Sequence, residues 1–181
     1  MPTFISLLRG INVSGQKIIR MEELRGKYQA LGLTNVRTYV QSGNVVFDSA
    51  ETQRSALAAR IEAAIEEAFG CSVHVFVFGA EDFRRIVSGN PFLQDANIDP
   101  SKLHITFFHA PLTKPDKTGL KLPDGIPDAC RFGEQEVYVH CPEGYGRTKL
   151  SNAFFERKLK IPATTRNWKT VNLLFEMASR G

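Results

Sequence analysis

Hydrophobic positions along this chain change their spacing in an orderly way, and the spacing predicts the elements. Thr3–Arg9 is an almost unbroken apolar run that reads as a strand. Met21, Leu24, Tyr28 and Leu31 then recur at helical spacing up to Gly32, a natural helix C-terminus. Asn35–Gln41 and Val45–Asp48 are short stretches rich in Val, Tyr and Phe. The Ser42-Gly43-Asn44 between them predicts a hairpin, because Gly and Asn tolerate positive φ. Glu51–Phe69 repeats Leu57, Ile61, Ile65 and Phe69 every four residues before Gly70 and predicts a long amphipathic helix. Ser72–Phe78 reads as a closing strand.

This βαββαβ order predicts an α+β fold with a ferredoxin-like, split-βαβ N-terminal sheet. In that topology all four strands are antiparallel, the first and third are central neighbours, and right-handed crossovers put both helices on one face. The end of strand one (Arg9-Gly10-Ile11-Asn12), the Ser42–Asn44 hairpin and the entrance to the first helix, preceded by Lys17 and Arg20, then share one sheet edge. FISLL at Phe4–Leu8 and VHVFVF at Val73–Phe78 are apolar on both sides, so the face away from the helices is expected to be covered too.

The second half reads less sharply. Glu81–Val87 predicts a short helix stopped by Ser88–Pro91, and Leu103–His109 a strand. Ala110–Asp128 is proline-rich and aperiodic, which suits a surface loop or lid. Arg131–Phe132 and Val137–His140 flank Gly133-Glu134-Gln135 and predict a second hairpin. Lys149–Lys160 and Trp168–Ala178 carry helical spacing. Two subdomains are expected: the βαββαβ unit at 1–79, and a smaller α+β unit at 80–181, with loop 110–128 and two C-terminal helices, packed against it.

Composition narrows the class. The 181 residues are 43% hydrophobic and 23% charged, as in an ordinary globular protein. Nothing approaches the roughly 18–20 consecutive apolar residues of a membrane span, and the apolar start lacks the basic flank of a signal peptide. Cys71, Cys130 and Cys141 are odd in number and lack CxxC spacing, so reduced thiols in a cytoplasm are expected. The net charge of +4 is unevenly placed: +3 over 1–50, −5 over 51–143 and +6 over 144–181. The basic stretches suit either ordinary solvated faces or a patch that attracts an anionic partner.

Those basic stretches hold the residues that bear chemistry. RGINVSGQK lacks both the G-x-x-x-x-G-K-[ST] and the G-x-G-x-x-G patterns, so no nucleotide-triphosphate hydrolysis is expected. Arg9, Lys17, the Asn12 amide and the backbone at Gly10 and Gly15 nevertheless suit a simple anion; the alternative is that Arg9 meets a carboxylate and Asn12 holds the loop. Ser42 and Asn44 join them by topology. Arg147 in GYGRTK and Arg166 in TTRNWKTV complete the candidate ligand-binding set. Asn167 is placed to cap the last helix, while Trp168 suits either the core or stacking on a base or sugar. His74, His104, His109 and His140 fall in expected strands without metal-ligand spacing, and no G-x-S-x-G elbow occurs. No metal or cofactor is expected, and no catalytic residue can be named.

The favoured function is binding of a small anion or phosphorylated metabolite. The alternatives are a nucleic-acid-binding module and an enzyme on a phosphorylated or carboxylated metabolite, for which no general base can be named. Against the module, the central strands lack the exposed aromatic pair of RNA-recognition sheets, so nucleic-acid binding is expected to be weak and nonspecific at most. The isoelectric point of about 9.0 favours it.

Six segments carry a resemblance: LLRGINV, TYVQSGNVVF, the Phe-Gly before a strand, NPF at Asn90–Phe92, VYVHCPEGYGRTKL and TTRNWKTV. In this order, over nearly the whole chain, they resemble the uncharacterised bacterial family catalogued as domain of unknown function 1697. One departure is Ser14, where the family is associated with a second glycine. The resemblance implies an α+β fold and no established activity, cofactor or catalytic residue, so no functional role carries over from it.

Overall fold

The first sheet is organised around β1 (Thr3–Leu8), whose side chains alternate between two buried faces. In the computed structural model, which describes residues 1–180, β1 is followed by α1 (Met21–Ala30), β2 (Thr34–Tyr39), β3 (Asn44–Asp48), α2 (Arg54–Phe69), β4 (Val75–Gly79) and α3 (Ala80–Ser88). The strands lie in the order β2-β3-β1-β4, and every pairing is antiparallel, with Ile5 opposite Val46 on one side and Phe78 on the other. The first and third strands are thus neighbours, as the crossover rules require.

One face of this sheet carries Phe4, Leu8, Val45, Phe47, Val75 and Val77. They form a single core with Leu24 and Tyr28 of α1 and with Leu57, Ile61 and Ile65 of α2. Burying each such side chain stabilises the fold by about 1.5–3 kcal/mol, which outweighs the weak helix propensity of the aromatic positions. Tyr28 sits edge-on to Phe47 at 5.5 Å and shares a 2.8 Å hydrogen bond with the Ser6 hydroxyl. Burial raises its phenol, against the Ser6 bond, so the group stays protonated. The opposite face carries Ile5, Leu7, Val46, Phe76 and Phe78, which are buried as well; α3 sets Phe83 edge-on against Phe78 at 6.1 Å.

The second sheet is built from β5 (Leu103–Phe108), β6 (Ala129–Phe132), β7 (Glu136–His140) and β8 (Ala163–Asn167), in the antiparallel order β6-β7-β5-β8. Between its strands run α4 (Lys114–Gly119) and α5 (Asn152–Leu159), and α6 (Trp168–Ser179) follows β8 directly. Phe154, Phe155 and Leu150 pack with Phe108, Val137, Val139 and Ala163 into a second core. The chain divides into Met1–Val87 together with the segment from Leu173 on, and Ser88–Asn172. The division differs from a boundary at 79/80, because α3 and the end of α6 group with the first unit.

Local expectations are revised at two elements, and one further strand emerges. The 110–128 segment is not wholly a loop: Thr113 and Asp116 form a reciprocal capping box that starts α4. Six residues are too few to show a helical period, so only the cap carried the signal. Ala163–Asn167 is a strand, held by its ladder to β5 and by the β-branched Thr164 and Thr165. Finally, α5 begins at Asn152 because the Ser151 hydroxyl accepts from the Phe154 amide at 3.2 Å. His74 and His109 lie just outside β4 and β5.

Asp48 ties three segments together, accepting from the Thr3 hydroxyl at 2.7 Å and the Asn35 amide at 2.6 Å. Burial alone favours the neutral carboxyl, but these two bonds and the nearby Arg37 outweigh it and hold the group below the usual aspartate range. A carboxylate with a depressed folded pKa contributes stability above its unfolded pKa and loses it as pH falls through the folded value. Urea titrations should therefore show the wild type's advantage over Asp48→Asn shrinking as pH drops below about 4, the ordinary aspartate value. An advantage unchanged down to strong acid would contradict this role.

Candidate functional site

The first unit brings its two recognisable loops together at the end of β1. Leu8 donates its backbone N–H to Gly43 at 2.8 Å. Gly43 has φ +84°, and a Cβ there would lie 2.7 Å from Ile11 Cδ1 and 2.8 Å from Leu8 Cβ, so the close approach needs glycine. The Asn12 side chain makes three bonds: its Oδ1 accepts from Ile19 N at 2.8 Å, and its Nδ2 donates to Ile19 O at 2.9 Å and to Gln41 O at 2.7 Å. Within these loops Val40 adopts φ +52° and Asn12 φ +53°.

Arg9, Asn12, Lys17, Ser42 and Asn44 thus share one sheet end, with Arg9 N bonded to His74 O at 3.0 Å. Several of their polar groups bond to the protein itself. Asn12 clamps the loop, Lys17 Nζ donates to Ser72 O at 2.7 Å, and Asn44 Nδ2 donates to Tyr39 O and Ser42 Oγ at 2.9 and 3.0 Å.

The second unit gathers a different constellation. Antiparallel register sets His104 opposite Asn167 and Leu103 opposite His140, so the start of β5 meets the ends of β7 and β8. Beyond β7 the chain turns at Gly144, φ +91°, and lays the Tyr145 ring on His104 at 4.7 Å and 29°. The Tyr145 oxygen accepts from Asn152 N at 2.8 Å. Asn152 in turn accepts from Thr165 at 3.0 Å and donates to Ala163 O at 2.9 Å, while Thr165 and Thr106 share a 2.8 Å hydroxyl bond. Asn167 caps α6 by accepting from Thr170 N at 2.8 Å, which fixes Trp168 and Lys169 in the first helical turn.

Together these groups enclose a pocket of about 500 Å³. His104, Tyr145 and Trp168 supply ring walls; Asn167, Lys169 and the Pro100-Ser101 turn complete it. Burial lowers the His104 imidazole, against the pull of the Lys102 backbone, and so favours its neutral form. Burial raises the Tyr145 phenol, opposed by the Thr165 and Asn152 bonds. The pocket therefore presents neutral rings beside one cation.

Of the basic residues expected here, Arg147 follows Tyr145 by two positions and is exposed. Arg166 alternates with Thr165 and Asn167 and faces the other side of the sheet from His104. There it is buried, donating to Thr164 Oγ1 at 2.7 Å and Thr165 O at 3.0 Å, and burial brings its guanidinium down to about 10. In the sequence His104 shows only as a strand histidine, because its pairing with Asn167 depends on β8, which has no periodic signal. Tyr145 lies within the GYGRTK segment that holds Arg147.

Residues 1–138 match the family model described as "Protein of unknown function (DUF1697)". No curated protein matches the chain. Among solved structures it is similar to the conserved bacterial protein SP0830 from Streptococcus pneumoniae, at 26% identity over 98% of both chains with a TM-score of 0.74. His104 lies inside the family match, whereas Tyr145, Trp168 and Lys169 lie beyond it.

Asn12→Ala should cost about 2–4 kcal/mol in chemical denaturation, since it strands a buried amide and removes two further bonds. A loss below about 0.5 kcal/mol, the level of an ordinary surface change, would show that Asn12 does not clamp the loops.

Proposed function

The chain belongs to DUF1697, a family of unknown function, so its activity has to follow from its own geometry, and we propose that it binds a small anionic molecule bearing a flat ring. The observation that carries this reading is the half-enclosed pocket in which three rings stand beside Lys169. Its volume falls in the range of about 300–1,000 Å³ of small-molecule sites, and ring walls favour a planar guest over a bare ion. The first turn of α6 adds backbone N–H groups and the positive end of the helix dipole beside Lys169, which suits a phosphate or carboxylate. A phosphorylated or carboxylated metabolite with a ring meets both requirements.

The reading is assigned to the second unit because Asn12, Lys17 and Asn44 bond to the protein at the first. A concave pocket also supports a small ligand over nucleic acid, which needs an extended basic face. An enzymatic reading rests on His104 alone, the one imidazole in the pocket, which burial favours in its neutral form. The setting we favour is cytoplasmic, in keeping with free Cys71, Cys130 and Cys141.

Trp168 is the chain's one tryptophan, so the pocket carries its own reporter. Titration with a nucleoside monophosphate and an aryl carboxylate should change its fluorescence saturably, whereas inorganic phosphate should not. Lys169→Ala should weaken the ring-bearing anion about tenfold, the loss of one charge-assisted bond. Emission unmoved by every ring-bearing anion, or affinity indifferent to Lys169, would overturn the reading.

A further inference from the structure

We infer that a second site, separate from the His104 pocket, takes a linear oligophosphate in a cationic groove between α5 and the segment that follows α4. The groove encloses about 640 Å³ and is lined by Lys121, Lys149, Arg157 and Lys158, with Phe154 at its wall and Asp124 at its rim. A smaller cavity of about 300 Å³ shares Lys121 and Lys158 with it, and there Asp116 joins the lining.

Among the described residues, none of the four cations takes part in an ion pair. The neighbouring acid Asp116 accepts from the Thr113 amide in the cap of α4. Basic residues in the last turn of a helix are ordinary, because they complement its dipole, and this accounts for Arg157 and Lys158 in α5. It does not account for Lys121 and Lys149, which come from two other segments and face the same space. Four like charges converging on a groove whose lining holds one carboxylate, Asp124, repel one another, and a multivalent anion relieves that repulsion.

The groove's chemistry narrows the ligand. Arg157 stands over the Phe154 ring at 5.9 Å, which orients its guanidinium. The fork of Arg and the point charges of Lys suit phosphate oxygens. Phe154 is itself buried and covered by Arg157, leaving no ring on which a base stacks. Recognition here is by charge and spacing, which favours a chain of phosphates over a nucleotide or a nucleic-acid strand.

The test is calorimetric titration of the full chain with tripolyphosphate, orthophosphate and a short single-stranded oligonucleotide of matched charge. Tripolyphosphate should bind at least tenfold tighter than the other two. The double variant Lys121→Ala with Lys158→Ala should lose at least tenfold while keeping the wild-type thermal midpoint, and Trp168 emission should not respond to tripolyphosphate. Tripolyphosphate no tighter than orthophosphate, a preference for the oligonucleotide, or equal affinity in the double variant would each overturn the inference. Because the readout at Trp168 is separate, this result stands or falls independently of the His104 pocket.

Discussion

Everything in the first unit depends on the two-sided burial of β1. Its odd and even residues both face apolar surroundings, so a slip of one position would exchange Ile5 and Leu7 with Phe4 and the hydroxyl of Ser6. That exchange would break the Ser6–Tyr28 bond and bring ill-fitting volumes into both cores. Register is therefore specified by packing on both sides at once. The position of the β2–β3 turn over the end of β1 follows from it, as does the meeting of two loops about thirty residues apart.

The elements that were legible in the sequence are those whose own periodicity is long. Leu57, Ile61 and Ile65 declared α2, and the strong apolar runs declared β1 and β4. The order of elements then supplied the antiparallel pairing, a long-range result from local signals. What stayed hidden was of two kinds. Short elements such as α4 and β8 have no period to show; their stability comes from a capping box and from a ladder to β5. The pocket residues were hidden because His104 meets Asn167 only through the β5–β8 register, a property of neither segment alone.

Polar side chains show how far local sequence falls short. Asn12, Arg166 and Asn44 were equally suited to a ligand and to the backbone, and in the structure they bond to the backbone or to nearby hydroxyls. Lys121, Arg157 and Lys158 carry no motif in the sequence, and Lys149 only closes GYGRTK, yet the four converge on one groove with Asp124 as the one carboxylate in its lining. The difference lies in solvation. A buried donor must find a partner within the fold, whereas an exposed cation keeps water until a ligand replaces it.

The turn between β2 and β3 has a consequence for how this chain reaches its fold. Val40 holds a left-handed backbone, unfavourable for a β-branched residue. Isolated hairpins form readily when Asn-Gly dipeptides supply such angles, and here a valine stands in one of the positions concerned. The geometry is instead held from outside, by the Asn12 amide on Gln41 and by the seat of Gly43 against Ile11. The β2–β3 hairpin is thus a poor nucleus, and its closure belongs to a late step, after β1 has docked. A transition state organised on β1 and its helices, with the hairpin still loose, is the folding route that this geometry implies.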